Sequence, residues 1–157
     1  MDLNQQNFLY PSTLFVSNAP SVVTTILGSC VAVCLYDPIL KIGGINHYML
    51  PLWNGEGLAS PKYGNIAIEK LVEKMYQQGS KKTNLVAKVF GGGEVIDTTI
   101  KQFNIGERNI KIAKEMLEMY NIPIVAQSVG GKFGRKIQYT TNTGEVKHKF
   151  IERNVQL

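Results

Sequence analysis

Val22-Val23-Thr24-Thr25-Ile26-Leu27, then Gly28-Ser29-Cys30, then Val31-Ala32-Val33-Cys34-Leu35-Tyr36, then Asp37-Pro38: this stretch decides the fold class. Two β-branched, apolar segments are separated by small residues and closed by a turn-forming dipeptide, the pattern of consecutive strands rather than of a helix. The same texture extends on both sides. Thr13 to Val16 lies upstream of an Asn18-Ala19-Pro20 break, and Ile42 to Met49 lies downstream, ending just before Pro51. The first third of the chain therefore reads as sheet.

The second half changes period. Ile68, Leu71, Val72, Met75 and Tyr76 recur at helical spacing, with Gly79 where a C-cap belongs. Leu85 to Phe90 reads as a buried strand running into Gly91-Gly92-Gly93. Asn104 and Glu107 have the spacing of a capping pair ahead of a helix whose apolar stripe is Ile112, Ala113, Met116, Leu117 and Tyr120, with Pro123 as its stop. Ile124 to Ser128, Lys136 to Thr140 and Val146 to Ile151 read as strands. An Asn142-Thr143-Gly144 turn joins the last two as a hairpin. Many strands with two helices imply an α/β fold of layered sheets covered by helices.

The chain has 157 residues, 44% of them hydrophobic and 18% charged, which excludes bulk disorder and suits one domain over 1–157. Its formal charge is +5, concentrated near the C-terminus, where Lys132, Arg135, Lys136, Lys147, Lys149 and Arg153 face only Glu145 and Glu152. On amphipathic strands such a run is a solvated face before it is a binding site, and no nucleic-acid motif accompanies it. The stretch from Leu3 to Tyr36 is uncharged, but polar residues interrupt it and no run reaches the roughly 20 apolar residues of a membrane span. The first basic residue is Lys41, so the positive region of an export signal is missing and a cytoplasmic location is expected. Cys30 and Cys34 are the only cysteines, and His47 and His148 the only histidines. A disulfide framework is excluded by count, and no metal site is expected.

Cys30 is the first candidate for chemistry. A free thiol is only slightly ionised at neutral pH, so a nucleophilic cysteine needs a nearby imidazole, cation or helix end. His47 follows after one strand, one turn and part of another, and an antiparallel pairing brings the two side chains within reach. The plain alternative is that both are core residues, since cysteine is among the most buried types. Cys34, flanked by apolar neighbours, reads as core, and His148, between Lys147 and Lys149, as surface. Gly91-Gly92-Gly93 lacks the Gly-Lys-Ser/Thr of a phosphate loop, so close backbone packing explains it better. Asn109 stands on the otherwise apolar stripe of the second helix, where a buried amide requires a partner.

These blocks resemble one family. Thr24 to Pro38, Gly43-Gly44-Ile45-Asn46-His47-Tyr48-Met49-Leu50-Pro51, Lys88 to Gly93, Ile105-Gly106-Glu107-Arg108-Asn109, Gly130 to Lys136 and Thr143 to Val146 occur in the order found in the CheD family of chemoreceptor glutamine deamidases. The resemblance implies a three-layer α/β sandwich with mixed, largely antiparallel sheets and two main helices. It places the nucleophile on Cys30, its histidine on His47 and a threonine on Thr24. The backbone amides of Ser29 and Cys30 would serve as oxyanion donors, with no cofactor and no metal. One departure is Gln127-Ser128, where the family often has an acidic residue. The implied substrate is a glutamine on the cytoplasmic helices of a methyl-accepting chemotaxis receptor, converted to glutamate through a thioester. The CheC phosphatase is an implied partner; neither nucleic acid nor membrane insertion is. A non-catalytic adaptor and a hydrolase of receptor glutamyl methyl esters remain open beside it.

Overall fold

The computed structural model describes residues 5–94 and 104–152. Nine strands and two helices occur among them: β1 (Gln5–Phe8), β2 (Thr13–Ser17), β3 (Ser21–Leu27), β4 (Val31–Asp37), β5 (Ile42–His47), α1 (Gly64–Gln77), β6 (Val86–Gly91), α2 (Ile105–Met119), β7 (Ile124–Val129), β8 (Gly134–Thr140) and β9 (Val146–Ile151). A four-stranded sheet has the order β1-β3-β8-β9, and a five-stranded sheet the order β2-β5-β4-β6-β7. Only β1 with β3 and β6 with β7 run parallel, so the mixed, largely antiparallel sandwich expected from the sequence is what forms.

Side-chain alternation explains the layers. Along β4, Val31, Val33 and Leu35 face one way and join Ile68, Leu71, Met75, Ala113 and Leu117 of the helices in one apolar core. Ala32 and Cys34 face the other way and meet Val23, Leu27, Ile137 and Tyr139 of the four-stranded sheet in a second core. The five-stranded sheet is therefore the middle layer, and β5 is buried along its whole length.

Several local readings change. β1 falls in a polar segment whose sequence carries no strand pattern; it forms as an edge strand beside β3. Asn104 does stand at the N-cap of α2, but with φ 21° and ψ 49° its side chain makes no capping bond, because capping needs an extended backbone there. α2 ends at Met119, and Asn121 at φ 58° turns the chain before Pro123 is reached. The α1 stop matches its expectation, with Gly79 at φ 101° donating its N–H to the Tyr76 carbonyl.

The basic C-terminal run divides in two. Lys136, Lys147 and Lys149 are exposed on the outer face of the four-stranded sheet. Arg135 instead points inward and is only 3% exposed, because β8 alternation places it with Ile137 and Tyr139. Its guanidinium donates to Ser128 Oγ at 3.0 Å and to the Gly130 carbonyl at 2.6 Å, and lies over the Phe150 ring. Arg135 is thus a buried strut, not part of a solvated patch. His148 likewise is half-buried rather than surface, with Nε2 3.1 Å from Ser128 Oγ and its ring edge-on to Phe150. Burial first, and Arg135 second, lower its pKa.

Candidate active site

β3 leaves the four-stranded sheet at Leu27, and β4 begins the middle of the other sheet at Val31, so Gly28-Ser29-Cys30 is the corner where the chain changes layers. A corner of this kind leaves backbone donors unpaired. Among the described residues, the N–H groups of Ser29 and Cys30 donate to no other residue. The corner is braced by the triglycine: Gly92 N–H donates to the Cys30 carbonyl at 2.9 Å and Gly93 N–H to the Gly28 carbonyl at 3.0 Å. Gly91 has φ 108°, and a Cβ there would strike the Cys30 carbonyl oxygen. Close backbone approach, not phosphate binding, accounts for these glycines.

Cys30 and His47 lie on the same side of the middle sheet. Val31 bridges Tyr48 and Cys34 pairs with Ile45. That antiparallel register sets Ala32 opposite His47 and leaves Cys30 diagonal to it, two positions along the face. The imidazole is 2% exposed. Its Nδ1 lies 2.7 Å from Thr25 Oγ1, which reaches across from the four-stranded sheet.

That contact fixes a tautomer. Thr25 has one hydroxyl hydrogen, and it is donated to the Leu9 carbonyl at 2.8 Å. For both bonds to hold, His47 Nδ1–H must be the donor and Thr25 Oγ1 the acceptor. The lone pair then sits on Nε2, which is buried and without a partner among the described residues. Burial pushes the His47 pKa down to about 4, and burial raises that of Cys30, with the cysteine's own backbone N–H pulling weakly the other way. At neutral pH the pair rests as neutral imidazole and thiol.

Thr24 does not make this contact. Alternation along β3 sends Ser21, Val23, Thr25 and Leu27 inward, whereas Thr24 lies on the outer face and receives the Gln138 amide at 3.4 Å. The neighbouring threonine, Thr25, makes it instead. Inward spacing with Val23 and Leu27 was the sequence signal that singles out Thr25. Cys34, on the same face as Cys30, is 1% exposed and burial raises its pKa strongly.

Asn109 has its partner: Nδ2 donates to the Ser29 carbonyl at 2.9 Å and to the Met49 carbonyl at 3.0 Å. Gln127 and Ser128 lie on β7, the edge of the middle sheet, beyond β6 from the Cys30 corner. No group of metal-ligating side chains occurs among the described residues.

The profile of the family described as CheD chemotactic sensory transduction matches residues 49–150. The chain belongs to the CheD family. A probable chemoreceptor glutamine deamidase CheD of Sulfurimonas denitrificans is 49% identical over 150 residues, 95% of this chain and 96% of that one. Its counterpart in Trichlorobacter lovleyi is 52% identical over 139 residues, covering 88% and 86%. Among solved structures, the Bacillus licheniformis hypothetical protein YfiH overlays 69% of this chain and 49% of its own, with TM-score 0.44 and 15% identity.

Proposed function

We propose that this CheD-family chain is a protein-glutamine deamidase that converts glutamines of chemoreceptors to glutamate through a thioester on Cys30. The names of its close relatives support the reaction and substrate. The observation that carries the residue assignment is the saturated Thr25 hydroxyl, which leaves a buried, open Nε2 on His47 on the face that Cys30 shares.

The steps follow from that geometry. The glutamine carboxamide carbon approaches Cys30 Sγ, His47 Nε2 takes the thiol proton, and a carbon–sulfur bond forms. Negative charge develops on the carboxamide oxygen, where the N–H groups of Ser29 and Cys30 can receive it. The imidazolium returns its proton to the amide nitrogen, the carbon–nitrogen bond breaks and ammonia leaves. Water then gives a proton to His47 and its oxygen to the thioester carbon; the carbon–sulfur bond breaks, glutamate leaves and the imidazolium returns its proton to Cys30 Sγ. Thr25 holds the imidazole in the required tautomer throughout, as an orienting third residue. Every catalytic group in these steps belongs to the chain.

The receptor's cytoplasmic helices would dock on the outer face of the four-stranded sheet, where Lys136, Lys147 and Lys149 are exposed. A cytoplasmic location and a CheC phosphatase partner follow from the same reading, the latter to be tested by co-purification. No helix among the described residues is long and apolar enough to cross a membrane. The reaction is tested by mass spectrometry of a receptor cytoplasmic fragment incubated with the wild-type protein or with Cys30→Ala. An amide-to-acid mass increase at specific glutamines, absent with the variant, is expected. The same increase with both proteins would remove Cys30 from the mechanism.

A further inference from the structure

The amide of Asn109 sits in a place that ordinary helix packing does not explain. It projects from an apolar stripe, is 0% exposed, and spends both Nδ2 hydrogens on two backbone carbonyls of other elements. Its Oδ1 is buried without a partner among the described residues, a cost that an aliphatic side chain would avoid. The two carbonyls are not arbitrary. Ser29 precedes the nucleophile in the chain, and Met49 is the residue facing Cys30 one step beyond the Val31–Tyr48 bridge.

α2 is itself held firmly at this point. The Tyr48 hydroxyl donates to the Asn109 backbone carbonyl at 2.5 Å. One turn earlier, Gly106 lies so close to the triglycine that a Cβ would meet the Gly92 carbonyl carbon at 2.7 Å and the Gly93 oxygen at 2.9 Å. The helix that carries Asn109 and the triglycine that braces Cys30 are therefore one packed unit.

The consequence follows from the planar trans peptide, in which the carbonyl of one residue and the N–H of the next point in opposite directions. Fixing the Ser29 carbonyl toward α2 fixes the Cys30 N–H away from α2. Resting on the reading of Cys30 as nucleophile, we infer that Asn109 is a positioning residue that aims the Cys30 N–H at the oxyanion formed during attack. A second bond to Met49 ties that peptide to β5, two residues from His47, so donor, nucleophile and base share one frame.

The test separates aiming a donor from merely supporting the fold. Asn109→Ala and Asn109→Ser are compared with wild type for receptor-fragment deamidation and for alkylation of Cys30 by iodoacetamide, a displacement that forms no oxyanion. Removing an oxyanion donor outright costs about 100- to 1,000-fold in kcat, so a donor left in place but poorly aimed should cost about 10- to 100-fold. For Asn109→Ala, kcat is expected to fall by that factor with KM nearly unchanged, while the alkylation rate stays within about threefold; Asn109→Ser, which keeps one donor, should recover part of the loss. Unchanged kcat in the folded variants would overturn the inference. So would equal losses in deamidation and alkylation, which would make Asn109 a support of the thiol, or loss of the fold in both variants, which would make it a packing residue. Cys30→Ala run in parallel distinguishes the two levels. If it still turns over, the nucleophile assignment fails. If it is inactive while Asn109→Ala is fully active, only the role of Asn109 fails.

Discussion

The two faces of the five-stranded sheet are built from the same strands and do different work. Toward the helices, β4 and β5 contribute to a core of aliphatic and aromatic residues packed against α1 and α2. Toward the other sheet, Ala32, Cys34 and Ile45 join a second apolar core, and the same side carries Cys30 at the corner and His47, whose imidazole meets Thr25 of β3. Cys30 and Cys34 sharpen the contrast, because they share a face only four positions apart. Cys34 lies mid-strand, fully enclosed, and Cys30 lies at the corner, half-buried beside unpaired backbone donors. Residue type alone does not separate the two cysteines; Cys34 is enclosed in the apolar core between the sheets, whereas Cys30 stands at the corner where that core ends.

The largest expected effect comes from separating the two cysteines. Cys30→Ala should abolish deamidation while leaving the melting temperature near wild type. Cys34→Ala should retain turnover and lose about 1 kcal/mol of stability, read by urea unfolding. Activity lost equally in both would erase the distinction between corner and core.

The apolar core on the helix side, away from Asn109, should respond in stability rather than chemistry. Leu117→Ala, at a fully buried position, is expected to cost about 2 to 5 kcal/mol in denaturant unfolding, with kcat of the folded fraction preserved. A large loss of kcat at unchanged stability would mean that the two faces are not separable.

His47 couples the seam to pH. Its folded pKa of about 4 lies below the ordinary histidine value near 6.5, so the native state binds its proton less readily than the unfolded chain. The associated stability is present above about pH 6.5 and is lost as pH falls toward 4, by about 3 kcal/mol in total. Urea midpoints across that window should fall in wild type and fall less in His47→Gln. Because His47 stays neutral in the fold, kcat/KM should not drop at pH 6.5, as it would for an unburied histidine base.

The smallest contrast is the most discriminating. Thr25→Val should lower kcat by about tenfold or more by releasing the imidazole, whereas Thr24→Val on the outer face should leave kcat within about twofold. The reverse order would restore Thr24 as the orienting residue.

The layers, both helices and the terminal hairpin were legible because each rests on local periodicity or turn chemistry. β1 was not, since Gln5–Phe8 becomes a strand only by pairing with β3. The pairing of Cys30 with His47 on one face came from the strand–turn–strand spacing and the family blocks together. The choice between Thr24 and Thr25 needed strand parity, for which Val23 and Leu27 supplied the marker. Asn109 stood out as a polar break in an apolar stripe, but its partners are carbonyls 80 and 60 positions away, and backbone carbonyls leave no mark in a sequence. Arg135 was hidden for a related reason: a buried guanidinium satisfied by carbonyls and a hydroxyl looks, in sequence, like any other surface cation.

The tautomer of His47 is the point on which the chemistry turns, and ¹⁵N NMR of the imidazole reads it without any substrate. At pH 7 the expected spectrum has a protonated Nδ1 and an unprotonated Nε2, titrating together only near pH 4. A proton on Nε2, or an imidazolium paired with a Cys30 thiolate at neutral pH, would contradict a neutral base held open by Thr25.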